Sequence, residues 1–193
     1  MAIREGQAAK EAVSGPAGTT DAPDAPSDAE LAALARALQE RCLADGLTVS
    51  TAESCTGGLV GHAITSIDGS SGYYLGGAIT YSDALKAQVL GVPAETLARH
   101  GAVSAQTAVA MAEGARRAFG TDLATSITGI AGPGGGSVAK PVGLVYVAAT
   151  SAAGTEVRRF HWASDRDGNK RLSAAAALQL LTEQAAALAS TRA

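Results

Sequence analysis

The chain has 193 residues, enough for one hydrophobic core and short of what two domains usually take. A formal charge of −3 with a pI near 5.6 provides no basic face for nucleic acid. Two cysteines, Cys42 and Cys55, fit a reduced cytoplasmic protein better than a disulfide-stapled secreted one.

Residues 1–27 are small, polar and Pro-rich (Pro16, Pro23, Pro26), with no periodicity that would bury a face, and are expected to form a disordered leader. The N-terminus has no apolar h-region, and the chain contains no run of about 18 uncharged apolar residues, so neither export nor a membrane span is expected. Residues 28–193 are expected to form one domain. Ser27 or Asp28 can cap a helix in which Leu31, Leu34, Leu38 and Leu43 recur near helical spacing. Residues 47–52 are rich in β-branched side chains and predict a strand. It runs through the turn T-A-E-S-C-T-G-G at 51–58 into a helix over about 57–67, carrying Val60, Ile64 and Ile67 on one face.

Asp68-Gly69 breaks that helix. Residues 77–81 predict a second strand, parallel to the first by the right-handed crossover rule. Ser82 and Asp83 can cap a helix carrying Lys86, a short helix covers 94–100, and Ser104 caps a longer one reaching Phe119. Its Val109, Met111, Ala112 and Ala115 are expected in the core. A third strand over 123–128 leads into G-I-A-G-P-G-G-G. Residues 142–149 and 155–162 predict an antiparallel hairpin, and a closing helix spans about 165–189. This order predicts an α/β fold, a three-layer α/β/α sandwich with a mixed, mostly parallel sheet ending in an antiparallel hairpin. Only 4% of residues are aromatic, so its core must be built from Ala, Val, Leu and Ile.

Ligands of open α/β sheets gather beyond the carboxyl ends of the strands, where loops and helix N-termini converge. Three stretches meet that description: Glu53 to Gly58, Tyr81 to Lys86, and Gly129 to Lys140. Ser54 has a candidate base in Lys86, since an amine removed from water loses its proton more readily, and Tyr81 stands where it can pass a proton. Each also has a plain structural reading: Ser54 as helix cap, Lys86 as a solvated helix residue, Tyr81 as an edge residue. Cys55 is a rival nucleophile at a helix start, but His62, His100 and His161 show no motif that would activate it. Those histidines also lack zinc-ligand spacing, so no metal is expected. The loop Gly129 to Ser137 can bring backbone N–H groups to a phosphate, with Lys140 adding charge. It matches neither a Walker A motif nor a dinucleotide fingerprint.

Taken together, T-A-E-S-C-T-G-G at 51–58, A-I-T-Y-S-D-A-L-K at 78–86, H-G-A-V-S at 100–104 and G-I-A-G-P-G-G-G-S-V-A-K-P-V-G at 129–143 resemble the CinA C-terminal domain family, in particular its stand-alone nicotinamide-nucleotide amidohydrolases. The resemblance implies hydrolysis of the carboxamide of nicotinamide mononucleotide to nicotinic acid mononucleotide and ammonia, without a cofactor. It puts the family's catalytic serine, tyrosine and lysine on Ser54, Tyr81 and Lys86. Substrate contacts are then expected from Glu53, Cys55, Thr56, Gly57, Gly58, Gly129, Gly132, Gly135, Gly136 and Lys140, with N–H groups of Cys55 to Gly58 facing the oxyanion. The expected partner is a small nucleotide, with neither nucleic acid nor membrane, and the apolar helix 105–119 offers surface for a homodimer. A binding module without turnover and an amidase for another small amide are the competing readings. Larger family members carry a further N-terminal domain, in whose place this sequence has the short leader. Where the family tends to read F-x-G-D-R, this chain reads Phe160 to Arg166 followed by Gly168-Asn169, a departure that leaves Arg166 and Arg171 without an assigned role.

Overall fold

The computed structural model describes residues 10–12 and 24–192. Ser27 starts the first helix, α1 (Asp28–Ala44), with a capping box. Its hydroxyl accepts from the Glu30 N–H while the Glu30 carboxylate accepts from the Ser27 N–H, so two of the orphan donors at the helix start are paired. Leu31, Ala35, Leu38 and Cys42 fall on the buried face. That face packs on the closing helix α6 (Arg166–Arg192).

Between them run β2 (Val49–Glu53), α2 (Leu59–Thr65), β3 (Tyr74–Ile79), α3 (Asp83–Leu90), α4 (Ala94–His100), α5 (Ala105–Phe119), β4 (Leu123–Gly129), β5 (Leu144–Ser151) and β6 (Gly154–His161). With β1 (Lys10–Ala12), the described strands form one sheet in the order β1-β6-β5-β4-β2-β3. β2 lies between β3 and β4 and runs parallel to both. β4, β5 and β6 are antiparallel in succession. The sheet is mixed and covered on both faces, as its element order predicts. Every residue of β2 is buried, the pattern of a strand sandwiched between two helical layers.

Several boundaries differ from expectation by a few residues, and two differences stand out. β3 begins at Tyr74, three residues before the expected start, and ends at Ile79, so Tyr81 lies in the connection beyond the strand. Lys10–Ala12, within the stretch expected to be a leader, pairs parallel to β6. Residues 1–9 and 13–23 lie outside the described residues.

One apolar layer fills the space between the sheet and α1, α2 and α6, with Leu38, Ile64, Ile127, Val147, Leu178 and Leu181 wholly buried. On the other face Ala52, Leu90, Val92, Met111, Ala115 and Ala124 form a smaller layer under α3 and α5. That second layer positions chemistry. Lys86 and Leu90 are one helical turn apart and share the buried face of α3, so the packing that seats Leu90 also carries Lys86 inward. At the far edge of the first layer Trp162 stacks on Phe160 with ring centroids 4.6 Å apart. Its indole N–H donates to Ser173 of α6 at 3.0 Å.

Candidate active site

The turn after β2 is shaped by its own acid. Glu53, 1% exposed, turns its carboxylate towards the start of α2. Oε2 accepts from the N–H groups of Gly58 (2.9 Å) and Val60 (3.2 Å), and Oε1 from that of Gly61 (2.9 Å). A helix start leaves N–H groups unpaired and carries partial positive charge, so a carboxylate is the natural acceptor there. Expected as a substrate contact, Glu53 is instead engaged inside the fold and does not line the cleft described below. The Gly57 N–H donates to the Ser54 carbonyl at 3.1 Å. Of the four N–H groups expected to face an oxyanion, those of Gly57 and Gly58 are thus engaged within the turn, leaving those of Cys55 and Thr56. Neither Thr56, fully buried, nor the two glycines line the cleft.

Ser54 is fixed by its own N–H, which donates to the Ile127 carbonyl of β4 at 3.0 Å. Its hydroxyl accepts from Lys86 Nζ at 3.3 Å. The amine also reaches the carbonyls of Thr80 (3.1 Å) and Tyr81 (3.3 Å) and stands 3.6 Å from Asp83 Oδ1. Burial pushes the Lys86 amine below the usual lysine range, and the Asp83 carboxylate works in the opposite direction. Burial likewise pushes the Cys55 thiol up to about 12, outweighing the N–H groups of Cys55 and Thr56 that favour its thiolate. Cys55 is therefore a thiol at neutral pH and a poor nucleophile.

Tyr81 is 61% exposed, and its hydroxyl accepts from an Arg166 guanidinium nitrogen at 3.3 Å. The other nitrogen of that fork donates to the Gly132 carbonyl at 2.6 Å. Next to it Asn169, buried, donates to the Ala131 carbonyl at 3.0 Å and accepts from the Ser164 N–H at 3.2 Å. The Gly168-Asn169 departure noted in the sequence is thus where α6 grips the glycine loop. The sequence drew attention to Arg166 and Asn169 through the departure from F-x-G-D-R, and that departure is why neither was given a role. Their position at a helix start facing the strand ends was the available signal.

Within the glycine loop, a side chain at Gly129 would come within 2.6 Å of Val145 and 2.7 Å of the Leu144 carbonyl, so glycine is required there for β4 to reach β5. Gly132 and Gly135 line the cleft with Gly129, whereas Gly136 does not. Lys140 also lies elsewhere: its ammonium donates to the His100 carbonyl at 2.6 Å, tying the end of the loop to the end of α4.

Ser54, Cys55, Tyr81 and Lys86 share a cleft of about 240 Å³ with Ala102, Val103, Thr128, the loop residues Gly129 to Gly132, Gly134, Gly135, and Arg166. Ala131, Gly132 and Arg166 also border a second hollow of about 670 Å³, which Val142, Asp165 and Lys170 help to line. Among the described residues no cluster of three His, Cys, Asp or Glu side chains could hold a metal ion, and no helix is long and apolar enough to cross a membrane.

The chain is similar to known proteins. The chain is 50% identical over 159 residues to "Nicotinamide-nucleotide amidohydrolase PncC" of Escherichia coli, spanning 82% of this chain and 96% of that protein. A "CinA-like protein" of Geobacter sulfurreducens is 49% identical over 149 residues, 77% of this chain and 35% of that protein. The chain spans about a third of the length of several such longer curated relatives. Among solved structures, a competence/damage inducible protein from Agrobacterium tumefaciens superposes with a TM-score of 0.79 at 42% identity, covering 82% of this chain and 96% of that one. The profile of the CinA C-terminal domain matches residues 31–185, and the chain belongs to the CinA C-terminal domain family.

Proposed function

We propose that this protein is an amidohydrolase that converts nicotinamide mononucleotide to nicotinic acid mononucleotide and ammonia, with Ser54 as nucleophile and Lys86 as base. The observation that carries the reading is the 3.3 Å approach of Lys86 Nζ to Ser54 Oγ, with Lys86 1% and Ser54 7% exposed. Burial lowers the proton affinity of the amine, which a lysine base requires. The similarity to the E. coli amidohydrolase, which spans 82% of this chain and 96% of that protein, supports the choice of substrate.

In this reading neutral Lys86 accepts the Ser54 proton as Oγ bonds to the carboxamide carbon. The oxyanion develops beside the N–H group of Cys55, the one of the four expected donors whose residue lines the cleft, where a donor is typically worth about 3 to 4 kcal/mol in the transition state. The proton held by Lys86 passes to the amide nitrogen, the C–N bond breaks, and ammonia leaves an acyl ester on Ser54. Water, losing a proton to Lys86, cleaves that ester, and the proton returns to Ser54. Tyr81, oriented by Arg166, stands at the cleft wall where it can hydrogen-bond the departing nitrogen. The glycine loop lies against the ribose phosphate, whose charge falls towards Arg166 and Lys170 in the adjoining hollow, and Lys140 anchors the loop.

The test is ammonia release from nicotinamide mononucleotide and from free nicotinamide, side by side, by wild type, Ser54→Ala, Lys86→Ala and Cys55→Ala. The nucleotide is expected to be the better substrate. Ser54→Ala and Lys86→Ala are expected to be silent, and Cys55→Ala to stay active. Binding of the nucleotide by calorimetry without ammonia release from wild type would overturn the assignment in favour of a binding module.

A further inference from the structure

Lys86 Nζ has two sides. On the inner side lies Ser54 Oγ at 3.3 Å, and below it the Thr80 and Tyr81 carbonyls accept at 3.1 and 3.3 Å. On the solvent side stands Asp83, one helical turn earlier on α3, its carboxylate 3.6 Å from the amine. The two ends differ sharply in exposure: the Lys86 side chain is 1% exposed and that of Asp83 59%. A buried base thus touches solvent-exposed charge at a single carboxylate on its own helix. Asp83 sits in the first turn of α3, immediately after the capping Ser82, so its backbone place is fixed by the cap.

We infer that Asp83 is a positioning residue for Lys86, holding the amine against Ser54 and setting the pH at which that amine becomes a base. The inference rests on the amidohydrolase reading for its catalytic meaning, but the pairing of the two side chains does not. The other groups facing Lys86 are few. Tyr81 approaches from the connection after β3, and Cys55 from the turn after β2. Arg166 of α6 stands behind the Tyr81 hydroxyl, and Glu53 spends both carboxylate oxygens on α2. Among the described residues Asp83 is the one carboxylate in an ion pair with the amine. It stabilises the ammonium form, while burial stabilises the amine. The balance keeps Lys86 able both to take a proton from Ser54 and to release one to the leaving nitrogen.

A carboxylate at this distance from an amine, with one partner in near-aqueous surroundings, is worth about one pH unit in the titration of that amine. Two measurements test this. In the first, ε-13C-labelled lysine reports the titration of Lys86 by NMR in wild type, Asp83→Asn and Asp83→Glu, with Lys86→Arg to assign the resonance. The Asn variant is expected to titrate about one unit lower and the Glu variant close to wild type. In the second, the pH profile of kcat/KM for ammonia release is expected to move its acid limb to lower pH by the same amount in Asp83→Asn. A group serving only as a helix-start charge would lower stability and move neither midpoint, so an unchanged Lys86 titration in Asp83→Asn overturns the inference. A shifted titration with no ammonia release from wild type leaves the pairing standing and removes the amidohydrolase reading instead.

Discussion

Glu53 Oε1 accepts a hydrogen bond from the N–H of Gly61, eight residues later, at 2.9 Å. A residue at the end of β2 thereby holds the first turn of α2, and Ser54 and Cys55 are the chain that passes between them. Glu53→Ala would leave the N–H groups of Gly58, Val60 and Gly61 without their acceptor. Each such loss costs about 1 to 3 kcal/mol when buried, so a destabilisation of about 3 kcal/mol or more is expected in urea unfolding, with loss of ammonia release. Glu53→Gln, which keeps one oxygen, should fall between. A midpoint equal to wild type in Glu53→Ala would remove this role.

The pH dependence has a defined sign. Burial lowers the Lys86 pKa from its ordinary 10.5, so kcat/KM is expected to rise with pH along a limb whose midpoint lies below 10.5, and Lys86→Arg should lack activity throughout. The same shift governs stability. Between the folded and unfolded pKa values the unfolded chain binds more protons, so folding stability rises with pH across that window. Thermal melts of wild type measured against Lys86→Met should therefore show wild type gaining relative stability as pH rises towards 10.5. A constant difference would mean that the folded amine titrates normally.

Gly114 of α5 lies where an added methyl group would overlap the Leu90 carbonyl oxygen. Gly114→Ala must push α3 away from α5, at a cost of about 1 to 3 kcal/mol for an overpacked contact. Because Leu90 and Lys86 share one face of α3, the displacement also moves the amine from Ser54. A fall in kcat with little change in KM is expected, read by steady-state ammonia release alongside the melting temperature. Normal kcat in a destabilised variant would separate the two effects.

Arg166 and Lys140 should differ in kind. Arg166→Ala removes the contacts to Tyr81 and Gly132 and opens the cleft wall, so kcat/KM is expected to fall at least about tenfold, the equivalent of 1.4 kcal/mol. Lys140→Ala removes a hydrogen bond to the His100 carbonyl, a loss of roughly 1 kcal/mol of stability, with KM affected less than in Arg166→Ala. A larger KM change in Lys140→Ala would return the phosphate contact to that lysine.

The order of strands and helices was legible because each carries its own periodicity and punctuation: Ser27, Ser82 and Ser104 cap the helices they precede, and β-branched residues mark β2. The grouping of Ser54 with Lys86 was also legible, since both follow parallel strands that end at the same edge of the sheet. Side-chain direction was not. Whether Glu53 faced a substrate or its own helix depended on where α2 begins, and Lys140 depended on the distance to α4, a separation of 40 residues. Arg166 and Asn169, noticed in the sequence but left without a role, acquired one only once α6 was seen to start beside the glycine loop.

The Phe160 and Trp162 stack has a practical consequence. Trp162 is the only tryptophan in the chain, and its indole is hydrogen-bonded to Ser173, two turns along the helix that presents Arg166 to the cleft. Its emission is thus a built-in optical gauge of how α6 seats on the sheet. Substrate that draws on Arg166 should register in the native fluorescence of the unlabelled protein, and stopped-flow mixing can then time binding separately from the release of ammonia.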